Sequence, residues 1–163
     1  WDGPLILKGI NDVEDAEIAA ATGAEAIVVS NHGGRQLDGA AASVEMLAPI
    51  ADAVGARTEV LFDGGIRSGQ DVLKALALGA KGTFIGRAFV YGLGAMGEKG
   101  VTRALEIIAK ELDVTMALCG ETDVRNLGRH DLLEPPPAWR PAGEAPESGA
   151  RVDGPAAAAA AAE

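Results

Sequence analysis

The sequence predicts an α/β fold made of successive strand–helix units, amounting to half of a (β/α)8 barrel. Three observations predict it. Four apolar runs, at 5–7, 26–29, 60–62 and 83–85, are continuous rather than alternating, as parallel strands covered on both faces require. Helix-like segments separate them, and strand–helix alternation at this spacing builds βαβ units. A short repeat also runs through the chain: Asp15, Gly23, Ala24 and Ser30 match Asp71, Gly79, Ala80 and Gly86 at a constant offset of 56 residues. In each copy a helix ends at Gly-Ala and a strand follows at once. Repeated β/α units with polar groups at their strand ends fit a barrel better than an open doubly wound sheet.

The elements follow in order. Leu5-Ile6-Leu7 forms the first strand, and residues 12–22 a helix that stops at Gly23, a favourable C-cap. The second strand is 26–29, and helix 43–54 closes at Gly55. Strand 60–62 precedes helix 68–78, which Ser68 caps at its start and Gly79 ends. Strand 83–85 and helix 101–112 complete the set, giving one domain over 1–133. Residues 134–163 begin at Glu134-Pro135-Pro136-Pro137 and end in an alanine run. They read as a disordered low-complexity tail, because prolines break helix and ladder and little apolar surface offsets the ordering entropy.

Apolar residues make up 48% of the chain but aromatics only 4%, so the core is aliphatic. A net charge of −10 argues against a nucleic-acid partner. The one cysteine, Cys119, excludes an internal disulfide, fits a reducing cytoplasm and reads as a packing residue. No run reaches the length of a membrane span, and no basic n-region with an apolar h-region is visible. The chain opens on Trp1-Asp2-Gly3-Pro4 directly before a strand, which reads as a segment with an N-terminal part beyond it.

The strand ends collect polar groups: Lys8, then Ser30 to Arg35, then Asp63-Gly64-Gly65-Ile66-Arg67, then Gly86-Arg87. In a barrel these face one rim. A histidine, here His32, is a side chain able to take up a proton from a substrate, and Arg35 can grip a carboxylate through two parallel hydrogen bonds. Together they point to proton abstraction from a small carboxylic acid. The two glycine–arginine loops, with Ser68 opening the next helix, suit a phosphorylated cofactor. Lys8 reads either as a lysine reaching solvent from a strand end or as a cation that stabilises negative charge on an electron-accepting ring. Asp38 reads as a cap or ion-pair partner, and Arg129 and His130 as solvated or structural. No metal-binding spacing stands out.

These motifs resemble the FMN-dependent α-hydroxy-acid oxidising family, which includes L-lactate dehydrogenase, glycolate oxidase and mandelate dehydrogenase. The likeness runs from about Pro4 to Asp131 and rests on Leu7-Lys8-Gly9, Ser30-Asn31-His32-Gly33-Gly34-Arg35-Gln36, Asp63-Gly64-Gly65-Ile66-Arg67-Ser68-Gly69, Lys74-Ala75-Leu76-Ala77-Leu78-Gly79-Ala80 and Gly86-Arg87. Other FMN barrels share the Gly-Gly-Ile-Arg and Ala-Leu-Ala-Leu-Gly-Ala features but lack the His-Gly-Gly-Arg segment. The resemblance implies the C-terminal half of a TIM barrel, strands 5–8 with their helices. It implies that His32 is the base, that Arg35 binds the substrate carboxylate and that Lys8 lies near the flavin N1 edge. It further implies that Ser30 contacts the flavin, while Asp63, Gly64, Gly65, Ile66, Arg67, Gly86 and Arg87 hold the ribityl chain and phosphate.

The implied reaction is oxidation of an L-2-hydroxy acid to the 2-oxo acid. L-lactate is the preferred substrate, because Trp1-Asp2-Gly3-Pro4 and Tyr91-Gly92-Leu93 look most like the bacterial lactate-oxidising members. Oxygen, a quinone or a cytochrome is the implied electron acceptor. The implied setting is the cytoplasm or the inner face of the cell membrane, with a homo-oligomer for the complete protein. Two features depart from the family pattern: Ala88 stands where proline often follows the last Gly-Arg, and the first four β/α units, with their tyrosines and second arginine, are absent. The alternatives are a half-barrel that binds flavin or phosphate, or self-associates, without turnover, and another FMN barrel with a different substrate.

Overall fold

The computed structural model describes residues 2–133, so the tail expected at 134–163 lies outside the described residues. Its core is one sheet of four parallel strands in the order β1 (Ile6–Ile10), β2 (Ala26–Val29), β3 (Glu59–Phe62) and β4 (Gly82–Thr83). Helices α1 (Val13–Ala21), α2 (Ser43–Val54) and α3 (Gly69–Ala77) connect successive strands, α4 (Arg87–Met96) follows β4, and α5 (Glu98–Cys119) follows α4. Each strand therefore pairs with its sequence neighbour, the β/α repeat that the sequence predicts.

The local reasons are visible in the caps. Asp12 accepts a hydrogen bond from the Glu14 N–H, so α1 begins one residue after it. Ser68 accepts from the Asp71 N–H while Asp71 accepts from the Ser68 N–H, a reciprocal box that fixes the start of α3. Between helices and sheet, Ile27, Val29, Val60 and Phe62 pack with Ala16, Ala19, Leu47, Ile50 and Ala75. Full burial of each large aliphatic side chain contributes roughly 1.5–3 kcal/mol, so this layer dominates stability. Alternation puts Lys8, Val28 and Leu61 on the other face, paired in register across three strands.

Three expectations need correction. All four strands were predicted to be covered on both faces, but only β2 is fully buried. Ile6 in β1 is 49% exposed, and Phe84, just after β4, is 47% exposed. These are the two outer strands of the sheet, and among the described residues neither has a second neighbour to shield it. The fourth strand is also shorter than 83–85, since pairing with β3 reaches only Gly82 and Thr83.

The third correction concerns helix content. The segment 87–96 is helical, and the last helix, expected over 101–112, runs from Glu98 to Cys119. No element is expected over 87–96 from the sequence, and by local propensity alone Gly92 and Gly94 disfavour a helix. Tertiary contact outweighs that propensity. A Cβ on Gly100 would collide with the Gly92 carbonyl, so the two glycines let α4 and α5 cross backbone to backbone. Gly100→Ala is accordingly expected to lower stability by about 1–3 kcal/mol, read as a fall in the urea midpoint. An unchanged midpoint would mean that this crossing is not held in solution.

At the start of the sheet, the Leu5 N–H donates to Glu25 Oε2 at 2.6 Å. That bond holds the Glu25 carboxyl below its ordinary range. No helix among the described residues is long and apolar enough to cross a membrane.

Candidate active site

The polar groups meet at the C-terminal ends of the strands, as predicted. Lys8 lies inside β1, not just past its end as the run 5–7 predicts, because pairing with β2 continues to Ile10; it stands on the face opposite the helices. Its Nζ lies 2.7 Å from Asp63 Oδ2, beyond β3, and donates to Ser30 Oγ, beyond β2, at 3.2 Å. One ammonium thus ties three neighbouring strands. Lys8 is 45% exposed, so the pair is screened and contributes at most about 1 kcal/mol; its effect is to aim the charge.

Ser30 is buried and has a second task. Its Oγ also accepts the His32 N–H at 3.1 Å, while Asn31 Oδ1 accepts the Gly33 N–H at 3.0 Å. These bonds wind residues 32–34 into a single 3₁₀ turn. His32 sits there at φ 55°, the one non-glycine residue with positive φ among the described residues. Such a conformation costs about 1–3 kcal/mol and persists only where neighbours impose it, which is common at functional sites.

The imidazole lies over Gly9. A Cβ at position 9 would fall 2.5 Å from His32 Cε1 and 3.4 Å from Nδ1, and Gly9 has φ +98°. Both facts require glycine. Gly64 sits equally close to Ser43, whose Oγ donates to the Asp63 carbonyl at 2.8 Å. The Arg87 guanidinium reaches the histidine turn, with Nη2 3.5 Å from where a Cβ on Gly33 would be.

The arginines divide cleanly. Arg57, Arg103, Arg125 and Arg129 each pair with a carboxylate. Arg35, Arg67 and Arg87 have no carboxylate partner among the described residues, although the chain carries a net charge of −10. All three stand on the strand-end rim. The N–H groups of Gly64, Gly65, Gly86 and Arg87 likewise find no acceptor among the described residues. Free guanidinium groups, open backbone donors and the first turn of α4 make a donor set that suits a phosphate monoester. The residues present therefore fit the anionic end of FMN.

Placement refines several assignments. The side chain of Ile66 is buried in the core, so it anchors its loop and leaves only its backbone to the rim. No contact among the described residues joins the Arg67 guanidinium to the other site groups. Sequence reasoning missed Gly9, Asn31 and Ser43 as parts of the site, and Glu111. The Glu111 carboxylate accepts the Gly69 N–H at 2.9 Å and so holds the start of α3 beside the Gly64–Arg67 loop. A glycine directly after Lys8 was a usable signal for Gly9. For Glu111, 42 residues from its partner, the local sequence carried none.

Parallel β/α units with their polar groups gathered on one rim are the architecture of the (β/α)8 barrel enzymes. This chain belongs to the FMN-dependent dehydrogenase family, whose model matches residues 1–134. It is 57% identical over 134 residues to an L-lactate dehydrogenase of Caulobacter vibrioides, a match covering 82% of this chain and 35% of that protein. An L-lactate dehydrogenase of Vibrio cholerae is 51% identical over the same shares. The chain thus spans about a third of the length of the curated relatives it matches. Among solved structures, a mandelate oxidase with benzoyl-formic acid is 52% identical at a TM-score of 0.74, covering 78% of this chain and 40% of that one. A mandelate oxidase variant with a monooxide FMN adduct is 54% identical at a TM-score of 0.74, covering 76% and 40%.

Proposed function

We propose that this chain forms the C-terminal half of an FMN-dependent enzyme that oxidises an L-2-hydroxy acid to the 2-oxo acid, with L-lactate as substrate. The observation that carries the reading is the set of three arginines without carboxylate partners among the described residues, on the rim that also bears the strained His32 turn. The names of the L-lactate dehydrogenase and mandelate oxidase relatives support the substrate class.

FMN, when bound, supplies a two-electron acceptor for the hydroxy acid. Arg67 and Arg87 hold its phosphate, aided by the free N–H groups of Gly64, Gly65 and Gly86, with Ile66 anchoring that loop. Ser30 and Asp63 aim Lys8, whose positive charge favours electron density on a nearby ring. Arg35 clamps the substrate carboxylate and so presents its C2 carbon to His32. His32, with no carboxylate pairing its imidazole among the described residues, accepts a proton from the substrate. The acceptor that reoxidises the flavin is oxygen, a quinone or a cytochrome. The lone cysteine supports a cytoplasmic setting, at the inner membrane face where the acceptor is membrane-bound, and the complete protein is a homo-oligomer.

A second reading applies to the 163 residues on their own: flavin binding without turnover. The exposed Leu5 and Ile6 at the β1 edge favour it, because a sheet with open apolar edges lacks the walls that close a pocket. Anaerobic addition of L-lactate to the chain loaded with FMN separates the two. Bleaching of the flavin absorbance supports the enzyme, and bound flavin that stays oxidised supports the half without turnover. If no flavin is retained, the cofactor assignment falls.

A further inference from the structure

We propose that Glu121, His130 and Asp131 form a binding site for a borderline divalent cation such as Zn²⁺, remote in role from the rim. Glu121 follows the end of α5, and His130 and Asp131 belong to the 3₁₀ turn Arg129–Asp131. His130 Nε2 stands 3.5 Å from Glu121 Oε1 and 3.4 Å from Asp131 Oδ2, and the three donor atoms lie within 4.8 Å of one another.

The two histidine distances exceed those of good N–H···O bonds, which cluster near 2.9 Å. They match the separation of ligands around tetrahedral zinc: bonds of about 2.0–2.1 Å put neighbouring donors roughly 3.3–3.4 Å apart. Charge points the same way. The Asp131 side chain is only 4% exposed and that of Glu121 20%. Neither has a lysine or arginine partner among the described residues, since Arg129 turns to Asp52 and Arg125 to Asp123. The Glu121 carboxylate accepts no hydrogen bond among the described residues. Two shielded carboxylates converge on one imidazole, which leaves a negative pocket for a cation to neutralise.

The histidine is also oriented for this role. A Cβ on Gly128 would fall 2.9 Å from His130 Nδ1, so the ring lies against the open face of that glycine and presents Nε2 to the carboxylates. The Gly128 N–H donates to Asp131 Oδ2 at 2.9 Å, an outer contact that steers the acid. One imidazole and two carboxylates with a fourth position left to water is a donor set zinc accepts. Bound there, the cation clips the end of α5 to the turn ten residues further along the chain. The sequence showed no such site because Glu121 lies outside any histidine or cysteine spacing that marks zinc ligands.

The test uses the untagged chain carrying Cys119→Ser, so that the exposed thiol cannot supply a ligand, after treatment with a chelator. Titration with ZnCl₂ by calorimetry is expected to show one saturable site, and excess zinc to raise Tm by about 8–10 °C at roughly 100-fold over Kd. His130→Ala is expected to weaken zinc binding at least tenfold while leaving the metal-free Tm nearly unchanged, because the ring is mostly exposed. Glu121→Gln, which keeps the shape, is expected to do the same. Asp131 is left intact, since its loss would also remove the bond from Gly128. Absence of saturable binding, or equal binding by both variants, would overturn the site.

Discussion

Replacing His32 with alanine is expected to slow anaerobic flavin bleaching by L-lactate about 10²- to 10⁴-fold, the range a positioned general base contributes. FMN affinity is expected to stay within about twofold, because the phosphate donors on the Gly64–Arg67 and Gly86–Arg87 segments are untouched and exposed single substitutions are mostly mild. Stopped-flow absorbance gives the first quantity and flavin titration the second. Where the complete barrel is needed for turnover, the same substitution is made in the enzyme that contains it. A rate within threefold of the parent would remove His32 from the role of base. The backbone adds a further expectation: His32 occupies φ 55°, so alanine does not relieve the strain, and stability changes little.

Gly9→Ala is expected to produce the second largest effect, although residue 9 carries no chemistry. The new methyl would stand 2.5 Å from His32 Cε1, and φ +98° is a conformation that alanine resists. Stability should fall by about 1–3 kcal/mol from strain and overpacking together. The imidazole must also move, and a displacement of about 1 Å at a reacting group can cost a factor near 10² in rate. Urea unfolding and bleaching kinetics on the same preparation read both. If stability falls while the bleaching rate of the folded fraction is unchanged, Gly9 is a backbone requirement only and does not seat the base.

Much of the fold was legible because strand and helix here are decided locally. The run Ala26-Ile27-Val28-Val29 has no polar position to offer solvent, and Asp12 and Ser68 signal helix starts that their side chains do cap. Helix α4 was not legible. Its glycines count against a helix when only neighbours in sequence are considered, and their reason is a crossing with α5. Exposure of β1 was likewise unreadable, since an apolar run shows that a strand can be buried and not how many neighbours cover it. At the site, strand-end position identified the groups after β2, β3 and β4, but not the place of Lys8, which lies inside β1 because pairing with β2 continues to Ile10. The Lys8–Ser30–Asp63 link depends on parallel register across three strands, which no single segment contains.

The sequence by itself determined the repeating β/α pattern, the aliphatic core and the order in which lysine, histidine and arginines arrive at strand ends. Those properties follow from hydrophobic runs, caps and turn glycines acting over a few residues. Only the tertiary structure decided which charges are already paired. Arg57 and Arg129 look no different in sequence from Arg35 and Arg87, yet the fold brings Glu17 and Asp52 to the first two and, among the described residues, no carboxylate to the second two. Pairing depends on distances across 40 and 77 residues of chain, and electrostatic interaction at a protein surface is decided by the last few ångströms.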